Sequence, residues 1–271
     1  MKRLIIGNGK VSQIIRHDDD IVLSRPIVDV RSKESIENAI RSHRPEVVIN
    51  CAAITNLEQC QDNKQDSYET NTLGSNNVAI ACAERGVKLV HISSGCLFDG
   101  NERLSTETSS LTPRVWYTWT KAWADQFIES YGYENYLILR PRQLFCKLKY
   151  KSNIITKFAS MREIRAIKEA NSAVAIEDFG NMIDHLLSVN ATGIFNCANE
   201  GTITPYEMAI GVREHINPEL KVDSISYQEF LKTIPNRRVN TIQAIDRLKS
   251  TGYHPRHVKD AFNDCLANYG K

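Results

Sequence analysis

Residues 3–12 read RLIIGNGKVS, a short apolar run that stops at Gly7-Asn8-Gly9-Lys10-Val11-Ser12. A run of this length closed by glycines suits a buried strand. A glycine turn between strand and helix lets backbone N–H groups approach a pyrophosphate. The pattern is GxGxxS rather than GxGxxG, and serine is small enough for helix and strand to pack closely. Alone, the loop fits a plain tight turn equally well, so the pattern downstream decides.

That pattern alternates. Residues 21–23 and 27–30 read as second and third strands, and 32–43, apolar at 36, 39 and 40, as an amphipathic helix. Residues 45–53, PEVVINCAA, form a strand ending in the small residues Cys51, Ala52 and Ala53. A long helix is expected over 64–85, stopped by Gly86, then a strand over 88–93, a helix over 117–131 and a strand over 136–140. This alternation predicts an α/β fold with a doubly wound parallel sheet, Rossmann-type. After Arg140-Pro141-Arg142 it breaks down: 143–175 is polar and irregular, with a helix opening at Asn153. Thr204-Pro205-Tyr206-Glu207 and Ser226-Tyr227-Gln228-Glu229 are capping boxes that start helices. We expect a dinucleotide-binding domain over 1–145 and a smaller mixed α/β substrate lobe over 146–271, with part of 170–200 returning to the sheet domain.

The chemistry concentrates in HISSGCLFDG, from His91, and VWYTWTKAW, from Val115. The strand over 88–93 delivers Ser94 and Cys96 to a sheet edge, where ligands collect in open α/β folds. Tyr117 and Lys121 stand four apart, hence on one helix face. A cation beside a phenol favours the phenolate, so Ser94, Tyr117 and Lys121 read as a proton-transfer set. An ordinary surface tyrosine and lysine is the competing reading of that pair.

At the end of the second strand an acid would suit ribose hydroxyls and an arginine a 2′-phosphate. The chain offers Ser24 and Arg25, with Asp29 and Val30 close behind, and this favours NADPH, NADH being the alternative. A solvated surface arginine explains Arg25 as well. Among 271 residues the net charge is +2 and 24% are charged, which gives no sign of a nucleic-acid-binding surface. No apolar run approaches about 18 residues and Met1 leads straight into a strand, so neither a membrane span nor a signal peptide is expected. Seven cysteines, at 51, 60, 82, 96, 146, 197 and 265, are scattered without CxxC spacing. They point to a reducing cytoplasm and no metal site. His91, His185 and His215 are expected to be structural or surface groups.

The chain resembles the extended short-chain dehydrogenase/reductases of the dTDP-4-dehydrorhamnose reductase branch, on Gly7–Ser12, Asn50–Ala53, Ser93-Ser94, Phe98-Asp99-Gly100 and Tyr117/Lys121. It is more closely similar to the nucleotide-rhamnose synthase/epimerase-reductases. These have Thr-Gly-Cys at Ser94-Gly95-Cys96 and Asn-Phe-Ile-Thr-Lys at Asn153–Lys157. The segments 192–196 and 216–219 share the likeness. Two departures stand out: the glycine loop is one residue shorter than the family's, and after Arg238-Val239-Asn240 a Leu-Asp has become Gln243-Ala244.

The resemblance implies a bifunctional 3,5-epimerase/4-keto reductase that turns UDP-4-keto-6-deoxy-D-glucose into UDP-L-rhamnose, fed by a separate 4,6-dehydratase. A dTDP sugar and a homodimer remain open alternatives. Cys96 and Lys157 would be the acid and base at C3 and C5, whose protons the C4 ketone acidifies, while Ser94 and Tyr117 hold the ketone oxygen. Lys121 would lower the Tyr117 pKa and hold the nicotinamide ribose. Gly95, Arg142, Asn153 and Arg238 would join Ser94, Cys96 and Lys157 in gripping the sugar nucleotide. Two readings compete: a 4-keto reductase with Cys96 a bystander, and a non-catalytic NADP-binding regulatory subunit like the methionine adenosyltransferase β subunit.

Overall fold

Successive side chains of a strand point to opposite faces, so a strand that is apolar throughout needs a layer on each side. In β1 (Arg3–Ile6), Leu4 and Ile6 face one layer and Ile5 the other. β1 is joined by β2 (Ile21–Leu23), β3 (Val47–Asn50), β4 (Lys88–Ile92) and β5 (Tyr136–Pro141). The computed structural model describes residues 1–100 and 104–271. Within them the main sheet runs β2-β1-β3-β4-β5 and ends on a late strand, Gly193–Cys197, with every pair parallel. The chain moves outward from β1 to β2, then returns to the far side of β1 to form β3. That reversal opens a crevice at the carboxyl ends of β1 and β3, the position where ligands bind in such sheets.

Helices α1 (Lys10–Ile15) and α2 (Lys33–His43) follow the first two strands, and α2 is capped by Ser32. After β3 come α3 (Leu57–Asp62), α4 (Lys64–Tyr68) and α5 (Gly74–Arg85), and after β4 comes α6 (Trp116–Ser130). α2, α5 and α6 cover the face of Leu4 and Ile6. The helix expected over 64–85 is present with one irregularity: Glu69–Leu73 forms a π-turn between α4 and α5. Such turns are rare and often sit at functional sites.

The expected strand over 27–30 is corrected. The N–H groups of Ile27 and Val28 both bond to the Ser24 carbonyl, which closes a turn instead of a ladder. Val28 and Val30 still plug the core while Ile27 is exposed, which is why the segment alternates like a strand. Residues 143–175 are also more ordered than expected. They hold β6 (Leu144–Phe145), α7 (Ile154–Ala159), β7 (Glu163–Ile167) and β8 (Val174–Ala175).

The chain then crosses back through α8 (Ile176–Ser188), whose Phe179, Ile183 and Leu186 cover the second face of the sheet, into β9 (Gly193–Cys197). The remaining lobe holds α9 (Pro205–His215), β10 (Lys221–Ile225), α10 (Tyr227–Lys232), α11 (Asp246–Ser250) and α12 (Val258–Ala267). Both capping boxes are formed, at Thr204 and at Ser226. β7 and β10 pair in parallel, and Phe145 meets Phe262 edge-on at 5.4 Å in a separate core. Among the described residues no helix is long and apolar enough to cross a membrane.

Candidate active site

Two concavities flank the carboxyl ends of the strands. The first, of about 390 Å³, lies at the β1/β3 crevice and is lined by Gly7, Asn8, Gly9, Arg25, Asp29, Val30, Cys51, Ala52 and Ala53, all named from sequence. Gly7 has φ +106°, and a Cβ there would stand 2.8 Å from the Ala52 nitrogen. Only glycine lets β1 turn this close to β3. Arg31 bonds the Asp29 carboxylate through Nη2 at 2.6 Å and holds it below its ordinary pKa. Burial pushes the Cys51 thiol up to about 12.

Three loop residues expected here point elsewhere. Ser12 is buried, its hydroxyl bonded to the Gly9 carbonyl, and Val11 packs against the core under α8. Burial lowers the Lys10 amine, which lies within electrostatic reach of Cys146 and Lys157. Thr70, which sequence reasoning missed, also lines the cavity from the π-turn. Its hydroxyl is buried and has no partner among the described residues.

The second concavity, about 520 Å³, lies between the sheet domain and the C-terminal lobe. Cys96, Arg142, Lys157 and Arg238 line it as expected, and so do Arg114, Arg165 and Arg237, which were not foreseen. Five arginines and one lysine face the space, with no carboxylate among the described lining residues. Such a wall suits a diphosphate. Arg142 donates to the Cys96 sulfur at 3.3 Å and to the Val239 carbonyl. Arg238 bonds Glu58 at 2.7 Å, and this guanidinium holds the Glu58 carboxyl below its ordinary range.

Asn153 departs from expectation. It is buried, its Nδ2 donates to the Leu148 carbonyl at 2.9 Å, and its Oδ1 accepts from the Cys146 N–H at 3.3 Å. The amide is consumed in tying the loop before α7. Its own carbonyl accepts from the Lys157 N–H at 3.0 Å, so it orients the helix that carries Lys157 rather than lining the cavity.

Behind Cys96, Ser94 caps the short turn Gly95–Leu97, its Oγ accepting from the Cys96 N–H at 3.1 Å. Gly95 is buried, and a Cβ there would meet the Gln243 side chain at 2.8 Å. Tyr117 and Lys121 share the buried face of α6. Burial drives the Tyr117 phenol well up, and a hydrogen bond with Ser94 opposes it.

Lys121, expected to lower this phenol, has its amine engaged by neighbours on β4. Lys121 Nζ donates to the Ile92 carbonyl at 2.8 Å and lies 3.2 Å from His91 Nε2, and burial brings its own pKa down to about 8. Ser94 is a hydrogen-bonding group that lowers the Tyr117 phenol. His91, expected to be structural, sits in direct contact with the lysine. Away from both concavities, His17, Asp19 and Asp20 bring ligand atoms together, but Asp20 is paired with Arg3 at 2.8 Å and His17 with Asp184 at 3.0 Å.

The chain is similar to proteins of known family and fold. The profile of the RmlD substrate binding domain matches residues 6–271. A bifunctional dTDP-4-dehydrorhamnose 3,5-epimerase/dTDP-4-dehydrorhamnose reductase from Arabidopsis thaliana is 27% identical over 234 residues, 82% of this chain and 76% of that one. Among solved structures, a dTDP-4-dehydrorhamnose reductase from Bacillus anthracis in complex with NADP superposes with TM-score 0.88 at 23% identity, covering 99% of each chain. A UDP-rhamnose synthase from Acanthamoeba polyphaga mimivirus does so with TM-score 0.85 at 20% identity, again over 99% of each chain.

Proposed function

The chain belongs to the RmlD substrate binding domain family, and from that membership we propose that it is an NADPH-dependent reductase of a nucleotide-linked 4-keto-6-deoxy sugar that also epimerises C3 and C5. The observation that carries the reading is the buried Ser94–Tyr117 hydroxyl pair held behind Cys96, which lines a cation-rich cavity together with Lys157. The residues at the smaller cavity fit the cofactor: Gly7 permits close backbone approach, and Thr70 offers an unpartnered buried hydroxyl. Gly7, Asn8, Gly9, Ala52 and Ala53 would hold the dinucleotide, with Arg25 at the 2′-phosphate. Asp29, the acid that would otherwise seek ribose hydroxyls, is occupied by Arg31, which supports NADPH over NADH. In this division residues 1–145 hold the cofactor and 146–271 the sugar.

When bound, NADPH would supply a hydride for C4. The protein's own groups do the rest. Ser94 and Tyr117 donate hydrogen bonds to the C4 oxygen as negative charge develops there, and Tyr117 gives it a proton. The same two donors stabilise the enolate formed when a proton leaves C3 or C5. Cys96 and Lys157 exchange those protons, and Arg142, bonded to the sulfur, holds the thiol in place. Arg165, Arg237 and Arg238 face the diphosphate. A dehydratase must make the 4-keto substrate.

The test is NADPH oxidation with UDP- and dTDP-4-keto-6-deoxyglucose, in wild type and Tyr117→Phe. The reading expects turnover that falls by at least about 100-fold in the variant. Failure of the wild type to oxidise NADPH with either sugar, or with the epimerised 4-keto sugar, would turn attention to a regulatory role.

A further inference from the structure

Behind Lys121 runs a line of buried polar groups that the chemistry above does not use. His91, on β4, is fully buried. Its Nε2 lies 3.2 Å from Lys121 Nζ, and its Nδ1 lies 3.5 Å from Asn50 Nδ2 on β3. The Asn50 amide is oriented: its Oδ1 accepts from the Ala52 N–H at 3.1 Å, so its NH2 group faces the ring and, at 3.3 Å, the Ser75 hydroxyl of α5. Asp125, one turn beyond Lys121 on α6, stands 3.9 Å from His91 Nε2 and is paired with Arg140 of β5 at 2.9 Å. Cys51 is the remaining titratable neighbour of Lys121.

We propose that His91 is a positioning residue for Lys121: the neutral ring, wedged between Asn50 and the lysine, accepts an N–H from Nζ and fixes the direction of the amine. The inference rests on the proposed reductase reading, in which Lys121 would hold the nicotinamide ribose. Of the ring's two gaps the one to Lys121 is shorter. The lone pair therefore belongs on Nε2, and the single proton of the neutral ring on Nδ1, across the wider gap.

A charged ring is disfavoured here, since the nearby Asp125 carboxylate already offsets the Arg140 guanidinium at 2.9 Å and stands 3.9 Å from Nε2, beyond hydrogen-bond reach. An imidazolium has two N–H donors and no acceptor, and here it would face two further donors, the Asn50 amide and the Lys121 amine. Like charge would add to the mismatch. Burial, and next Lys121, accordingly hold the His91 pKa well below its ordinary value. The neutral form prevails at neutral pH and is lost as the pH falls. Alignment of Lys121 is lost with it, and activity declines on the acid side.

The test compares wild type, His91→Gln and His91→Leu, measuring kcat and sugar KM with NADPH across about pH 5–9, the fold being checked by circular dichroism at each pH. Glutamine keeps an acceptor that cannot be protonated there. It should hold kcat within about threefold at neutral pH and flatten the acid limb, whereas leucine should lower kcat by tenfold or more with sugar KM nearly unchanged. Equal losses in both variants, or an acid limb that the glutamine variant shares with wild type, overturns the proposal. If the leucine variant does not fold, the glutamine profile decides.

A second arm needs no activity: NMR titration of the labelled His91 ring in wild type and Lys121→Met. The ring should resist protonation to a lower pH in wild type, and identical titrations overturn the proposal. Should the wild type oxidise no NADPH, the reading of the site fails and the ring titration alone judges the inference.

Discussion

Replacing Lys121 by methionine should abolish reduction while leaving the fold nearly as stable as before. The side chain is 1% exposed, and burial lowers its pKa from 10.5 to about 8. At about 1.4 kcal/mol per pKa unit, carrying the ammonium into the folded state costs about 3 kcal/mol. The sign follows from linkage: the folded pKa lies below the unfolded one, so the native state binds fewer protons between about pH 8 and 10.5. The full penalty applies below pH 8 and disappears as the pH rises through 10.5.

Methionine removes that penalty and forfeits the bonds to Ile92 and His91, worth about 2 kcal/mol together. The two terms nearly cancel. At pH 7 the variant should lie within about 1 kcal/mol of wild type, where truncating a well-packed buried side chain would lose about 2–5. The assay is urea unfolding of both proteins from pH 7 to 10, read as the difference in unfolding free energy. Over that range the difference should move by about 2.5 kcal/mol in favour of wild type. A variant that loses more than about 2 kcal/mol at pH 7, or a difference that does not change with pH, would refute the reasoning.

The other predictions concern separate parts of the molecule. Asp125→Ala should destabilise the protein by about 3–5 kcal/mol in denaturant melts, because it strands the buried Arg140 guanidinium. Gly7→Ala should weaken NADPH binding at least about tenfold in fluorescence titrations, since its Cβ would press on the Ala52 nitrogen and its φ is positive. Arg25→Ala should shrink the preference for NADPH over NADH, measured as the ratio of the two dissociation constants, by about tenfold or more.

Much of the fold is legible because its strands are uniformly apolar and end in glycine or small residues. β1, β2, β3, β4 and β5 stand within a residue or a few of where the pattern puts them. The expected strand at 27–30 failed for a local reason: Val28 and Val30 alternate inward as a strand would, but the Ser24 carbonyl captures the N–H groups a ladder would need. β7 was missed because it is an edge strand of a two-stranded sheet, with Glu163 and Arg165 breaking its apolar run.

At the candidate site, motif residues that act through backbone or through short side chains at strand ends were readable. Side-chain direction was not. Spacing puts Lys121 on the face of Tyr117 yet does not reveal that its amine turns to Ile92 and His91. Asn153 lies in the right segment, but its amide is consumed by a loop whose geometry no local pattern encodes. Thr70 enters the cofactor cavity from a π-turn, an irregularity without a sequence signature. Arg114, Arg165 and Arg237 meet only because the two lobes close on each other.

The central claim is that one pocket both epimerises and reduces. The measurement that tests it most directly is incubation with UDP-4-keto-6-deoxyglucose in deuterated buffer, with and without NADPH, followed by NMR. Deuterium should enter C3 and C5 without the cofactor, cease to enter in Cys96→Ala and Lys157→Ala, and accompany a rhamnose product when NADPH is present. Absence of deuterium at both carbons, with NADPH still oxidised on the epimerised 4-keto sugar, would contradict the account and leave a reductase alone.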